Sequence, residues 1–253
     1  MTIDSAVAGR LRRLNLVAAA AHGLQAVLML VLSNAVSLPV TALFATGPPG
    51  QPQRPPEIDT LFSYRLGPAV ALFSVLSAGF HVLVATAAFP RYLRGLAAGI
   101  NRFRWVEYSL SASLMIVLIA GITGITDIAA LLALAGVNAS MILFGWLMES
   151  HNPRPATDWN PFLFGCIAGA VPWVAIGIYL VGAGSDVPGF VYGIFVSIFL
   201  MFNCFAVNQW LQYRSVGRWR DYLHGERVYI WLSLIAKSLL AWQIFANILV
   251  PAN

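Results

Sequence analysis

The sequence predicts an all-α protein, a single domain over residues 1–253 built as a bundle of seven transmembrane helices with its N-terminus in the cytoplasm. Three observations predict it. Of 253 residues, 59% are hydrophobic and 10% charged, whereas a soluble domain carries about 25% charged residues. Apolar runs close to the roughly 20 residues a bilayer requires recur seven times, joined by mostly short connectors. The basic residues alternate between the two sides of those runs.

The first run, Leu14–Leu32, is too long for a signal peptide and is followed by six more. The connector Ser33–Tyr64 holds six of the 14 prolines, including Gly-Pro-Pro-Gly at Gly47–Gly50 and Pro55–Pro56. It accommodates a short hairpin or an irregular lid, packed on a partner subunit or over the bundle mouth, or a solvated loop. Span two is Leu66–Ala88. The basic segment Arg91–Arg104 is expected to extend span three, Trp105–Ile122, as an interfacial helix. Span four, Ile128–Met148, contains the sequon-like Asn138-Ala-Ser140, which lies at membrane depth and is not an acceptor. Span five, Phe162–Val181, carries Pro172, expected to kink it, and Gly165-x-x-x-Gly169; Gly189-x-x-x-Gly193 opens span six, Phe190–Tyr213. Span seven is Val228–Val250. Cys166 and Cys204 lie within spans and read as small buried hydrophobes, too few for a disulfide framework or a metal site.

Arg10, Arg12, Arg13, Arg91, Arg94, Arg102, Arg104, Arg154, Arg214, Arg218, Arg220 and Arg227 fall on one side, and only Arg54 and Arg65 on the other. Twelve against two places the N-terminus inside and the C-terminus outside. Because the net charge of +5 is distributed in this alternating way, it is not a nucleic-acid footprint. Membrane lipid is the expected partner.

Lys237 is the only lysine of the chain, and it sits in the middle of span seven. About ten residues from either end places it roughly 15 Å from each face, where insertion costs about 2.5–3.5 kcal/mol. An amine taken out of water sheds its proton or finds a carboxylate. Glu107 is the one acid well inside an apolar run, with Asp127, Glu149 and Glu226 marking span ends, so Lys237 and Glu107 are expected to pair. Other polar residues share these faces: Ser233 lies one turn before Lys237, and Ser111 one turn after Glu107. Ser77 and His81 stack in span two, with His22 and Gln25 in span one. A structural ion pair is one reading of Lys237 and Glu107. The chemical alternative is condensation of a desolvated amine with an aldehyde, the carboxylate balancing the resulting cation. A long conjugated aldehyde needs a slot of aromatic and small residues, which Tyr108, Met115, Met141, Gly145, Trp173 and Phe202 can supply if they are not ordinary packing.

The strings around these residues are specific. Arg104-Trp-Val-Glu107-Tyr108-Ser-Leu-Ser111, Gly136-Val-Asn138-Ala-Ser-Met141-Ile-Leu-Phe-Gly145-Trp and Ala236-Lys237-Ser-Leu-Leu-Ala-Trp242-Gln243 resemble heliorhodopsin. So do Gly165-Cys166-Ile-Ala-Gly, Val187-Pro-Gly-Phe-Val-Tyr-Gly193 and the Gly-Pro-Pro-Gly loop, and the resemblance covers essentially the whole chain. It implies all-trans retinal held covalently on Lys237 as a protonated Schiff base, with Glu107 as counterion and Ser233 adjacent. Asn138, Met141, Ile142, Gly145, Phe202 and Gln209 match the retinal pocket of that family, and His22, Ser77 and His81 its polar cavity near the Schiff base. The cytoplasmic N-terminus agrees with the family's inverted topology, and a homodimer is implied. Ala112 and Leu163 depart from a relative's serine and aromatic, which bears on colour.

Four classes of function compete. A pump needs proton donors and acceptors on both sides of the lysine, yet Leu118 stands where a donor is expected and Ser233 where a second counterion is expected. A light-gated channel or transporter needs a polar row through the outer half, which is missing. An enzyme needs a nucleophile–base–acid set, and none is spaced for it. A photosensor with a slow photocycle and no net pumping is the favoured reading, signalling to a cytoplasmic partner through Arg214–Arg227, a face that anionic lipid attraction explains equally well.

Overall fold

The computed structural model describes residues 3–45, 47 and 58–251. Among the described residues, seven helices are long and apolar enough to cross a membrane. In chain order the elements are α1 (Ser5–Leu32), β1 (Ser37–Leu43), β2 (Ile58–Arg65), α2 (Leu66–Ala85) and α3 (Phe89–Ala97). They continue with α4 (Arg102–Ile122), α5 (Ile128–His151), α6 (Asn160–Ala183), α7 (Gly189–Tyr213) and α8 (Tyr222–Ile244), the last ending in a π-helical turn, Phe245–Leu249.

Helix starts are set by side-chain caps. Asp4 accepts from the backbone of Ala6, Asn101 from Arg104, Asp127 from Ala130 and Asp221 from Leu223, each satisfying a donor that the first turn leaves free. Proline stands in the first turn of α3 and of α6, where its missing N–H is no loss. The outward faces are apolar, up to Val181 at 82% exposed, while polar residues such as Asn15, Ser77 and Asn208 are buried. That is the inside-out pattern of a bundle in lipid.

The helices pack α1 on α2, α2 on α4, α4 on α5, α5 on α6 and α7 on α8, and α8 closes the bundle against α1. The C-terminal half of α4 fills the centre with Met115, Ile116, Leu118 and Ile119, against Phe73 of α2 and Leu240 and Ile244 of α8. At the end of the bundle that carries the N-terminus, α3 lays Tyr92 and Leu96 on Leu11, Val84 and Leu223, forming a smaller second core.

Several expectations need correction. The first helix begins at Ser5 rather than Leu14, so Arg10, Arg12 and Arg13 ride on its extension. Arg91–Arg104 is not an extension of span three. α3 stops at Gly99, whose φ of +75° a side chain rarely adopts, with Ile100 N–H closing onto the Gly95 carbonyl. Asn101 then caps a new helix. Arg104 is no interfacial cation, and Glu149 and Glu226 do not merely mark span ends, since all three are buried. Cys166 is exposed rather than buried, and Cys204 partly buried.

The long connector forms a hairpin, β1 antiparallel to β2 from Ser37↔Arg65 to Leu43↔Ile58, with a bulge at Val40/Thr41. Arg54, Pro55–Pro56 and all of the Gly-Pro-Pro-Gly turn except Gly47 lie outside the described residues. Pro172 sits inside a continuous α6. Of the two glycine spacings, one brings helices together: a Cβ on Gly169 would lie 2.6 Å from Met141 Sδ on α5, whereas none of the described residues comes within 4 Å of one on Gly189 or Gly193.

Candidate functional site

Lys237 is 3% exposed, and its neighbours come from three helices. Its Nζ donates to Glu107 Oε1 at 2.7 Å and to Ser233 Oγ at 2.9 Å. Ser77 of α2 donates its hydroxyl to the same Glu107 oxygen at 2.7 Å. The ammonium also faces the ring of Tyr108, 5.2 Å from its centroid. Helical spacing makes this local: Ser233 is one turn below Lys237 on α8, and Glu107 and Ser111 are one turn apart on α4. The expected pair is formed, and it is the only ion pair among the described residues that involves a lysine.

From Lys237 a cavity of about 320 Å³ runs between α4, α5, α6 and α7. Ser233, Tyr108, Ser111 and Met115 border its lysine end. Met141, Ile142 and Gly145 of α5, Trp173 of α6 and Phe202 of α7 form its walls, and Gln209 borders it while donating to the Gly145 carbonyl at 2.9 Å. Gly145 lets the Trp105 ring pack directly on α5 as part of the wall. A Cβ on Gly145 would stand 2.6 Å from Trp105 Cζ3. Trp173 meets Phe195, Phe199 and Phe202 edge-on, the preferred aromatic geometry. Ala112 also lines the cavity, but Leu163 does not and is exposed.

Two groups of expected residues lie elsewhere. Asn138 is buried but absent from the cavity wall; its amide donates to Ser113 Oγ at 3.1 Å and ties α5 to α4. His22 and His81 stack with ring centroids 5.7 Å apart and planes 11° from parallel. His81 Nδ1 is 2.8 Å from Asn15 Oδ1, while both His22 nitrogens are buried with no hydrogen-bond partner among the described residues. Ser77, one turn before His81 on α2, donates to Glu107 and makes no hydrogen bond to either histidine among the described residues.

A second buried cluster was not legible. Arg104 reaches Glu149 at 2.7 Å and also pairs with Glu226. Glu149 accepts in addition from the Asn101 backbone, the Trp105 indole and the Tyr222 hydroxyl. Glu226 accepts from Asn101 Nδ2 at 2.7 Å and lies 3.2 Å from the Tyr92 hydroxyl. The sequence shows these acids at the edges of apolar runs, which says nothing of how deep a helix end is buried. They lie 45 and 122 residues from Arg104, so no spacing in the sequence links them to it.

The sequence model of one family, described as Heliorhodopsin, matches residues 11–249. The chain belongs to the heliorhodopsin family. Heliorhodopsins are retinal-based light-sensing membrane proteins and are generally not enzymes, and the seven apolar helices here are those of a multi-pass member. No curated protein sequence matches the chain. Among solved structures, the transmembrane domain and linker region of Salpingoeca rosetta rhodopsin phosphodiesterase is similar with a TM-score of 0.64 at 13% identity, covering 96% of this chain and 71% of that one. A structure of the transmembrane domain of the same protein gives 0.62 at 10% identity, covering 92% and 83%. At these identities the likeness is one of fold. For this heliorhodopsin the residues fit a retinal: a slot walled by aromatic and small side chains ends on the only lysine, with one carboxylate behind it.

Proposed function

We propose that the chain is a photosensory retinal protein in which Lys237 holds all-trans retinal as a Schiff base and Glu107 is the counterion. The observation that carries this is the buried contact of Lys237 Nζ with Glu107 Oε1 at the end of an apolar cavity. The retinal would supply light absorption and isomerisation. The chain's own groups do the rest. Glu107 and Ser233 stabilise a positive nitrogen at the Lys237 position, each at hydrogen-bond distance. Ser77 holds the carboxylate in place. Trp173, Phe202 and Met115 exclude water and restrict the path along which a polyene can move.

Ionisable groups gather on the N-terminal side of the lysine. Among the described residues the buried charged or histidine side chains are His22, Arg104, Glu107, Glu149, Glu226 and Lys237, and beyond Lys237 the interior is mainly Met115, Leu118, Leu240 and Ile244, with neutral pairs such as Gln25–Ser74. This distribution favours local proton movement over transport across the membrane, and so sensing over pumping or conduction. The proposed output is a cytoplasmic partner reading the arginine-rich face, with the N-terminus inside, the C-terminus outside and two copies forming a dimer. Purified protein given all-trans retinal in the dark is expected to become coloured, and Lys237→Ala to stay colourless. Colour in Lys237→Ala, or none in the parent, would overturn the proposal.

A further inference from the structure

Two buried carboxylates share one guanidinium at the N-terminal end of the bundle. Arg104 pairs with both Glu149 and Glu226, and all three are buried. The one buried lysine already belongs to Glu107. Arg154 is stacked on the rings of Tyr222 and Tyr213 and donates to the Gly99 carbonyl, forming no ion pair with either acid. Two ionised carboxylates against one cation would leave an uncompensated charge out of water, which proteins avoid by keeping a proton. Coupled acids of this kind ionise as a unit.

The hydrogen bonds indicate which acid carries it. Glu149 faces Arg104, a backbone N–H and an indole N–H, three donors that cannot accept. Each acid is also met by one tyrosine hydroxyl, Tyr222 at Glu149 and Tyr92 at Glu226, so the extra fixed donor makes Glu149 the better-stabilised anion. Glu226 faces Arg104 and the Asn101 amide, together with the hydroxyl of Tyr92, an atom able to accept and already receiving Asn15 Nδ2 at 3.4 Å. Burial, with Glu226 beside it, holds the Tyr92 phenol well above its usual range, so it remains a neutral hydroxyl.

Between this cluster and the lysine site lies a polar cavity of about 30 Å³, bordered by Asn15, His81, Arg104, Glu107 and Glu226. That is room for about two waters. Arg104 Nε, buried and without a hydrogen-bond partner among the described residues, supplies a donor for one of them.

We infer that Glu149 and Glu226 hold one proton between them, carried on Glu226, and that the small cavity joins this store to Glu107. The connection rests on the proposed role of Glu107, whereas the proton count does not. A proton gained or lost here changes the charge that Glu107 faces across the cavity, giving the chromophore site a second titratable group from α5 and α8. The neighbours that share this field are His81, Tyr92, Arg104, Glu107, Tyr222 and Tyr229.

Infrared spectroscopy of the full chain in lipid nanodiscs at neutral pH tests the count, and retinal-free protein suffices. A carboxylic-acid C=O band sensitive to deuteration is expected. It is lost in Glu226→Gln and also in Glu149→Gln, because one carboxylate opposite one guanidinium needs no proton. Tyr92→Phe keeps the band and shifts its frequency. No band in the parent, or a band that survives either glutamine variant, overturns the shared proton, and an unmoved band in Tyr92→Phe overturns its place on Glu226. In the retinal-loaded protein the band shifts on illumination; an unaltered band overturns the link to Glu107. Failure to form pigment would strike the proposed function and leave the dark measurements standing.

Discussion

Lys237 and Glu107 were legible from sequence because each is the only residue of its charge class deep in an apolar run, and hydrocarbon leaves such groups few partners. Their contact at 2.7 Å follows from that isolation. Asn138 illustrates the opposite case. A buried amide satisfies itself with whatever hydroxyl is in reach, here Ser113, and sequence position does not say which way it points. Two predictions belong at this scale. Glu107→Gln removes the anion beside the nitrogen where positive charge rests before excitation, so the absorption maximum is expected to move to longer wavelength. A spectrum unchanged from the parent would remove Glu107 from the counterion role. Gly145→Leu puts a side chain where even a Cβ lies 2.6 Å from Trp105, closing the slot, so retinal uptake is expected to slow or fail while Lys237 remains intact. Uptake at the parent rate would place the polyene elsewhere.

Elements were predicted unevenly, for a physical reason. The seven spans are encoded by length and apolarity, so their existence was plain, but their ends were not. α1 starts nine residues early because Asp4 caps it and the arginine-bearing turns continue the helix before the apolar run. α3 breaks from α4 because Gly99 and Asn101 impose a turn that composition alone does not reveal. The hairpin between α1 and α2 is joined to distant elements. Thr41 N–H donates to Thr126 O at 2.9 Å, and Asn34 Nδ2 to the Ile248 carbonyl at 2.8 Å, clamping the π-helical end of α8. Asn34→Ala is expected to destabilise the protein by about 1–3 kcal/mol, seen as an earlier thermal transition in detergent. Arg104→Ala leaves two buried acids without their cation and is expected to cost about 3–5 kcal/mol by the same assay. An unchanged transition in Arg104→Ala would mean that solvent reaches the cluster.

The whole molecule divides at the lysine. Toward the N-terminus lie the histidine pair, the small polar cavity and the Arg104 cluster; toward the hairpin the interior is mainly hydrocarbon packed around α4, its buried polar pairs neutral, as in Gln25–Ser74. Illuminated cells expressing the protein in weakly buffered medium are therefore expected to show no sustained pH change, and a sustained change would restore transport as the function. The proposed function depends on a covalent bond to one amine. Dark-adapted pigment treated with borohydride, digested and read by mass spectrometry should carry reduced retinal on the peptide containing Lys237. Pigment whose retinal washes away unreduced, or is recovered on the chain's terminal amine instead, would contradict the account.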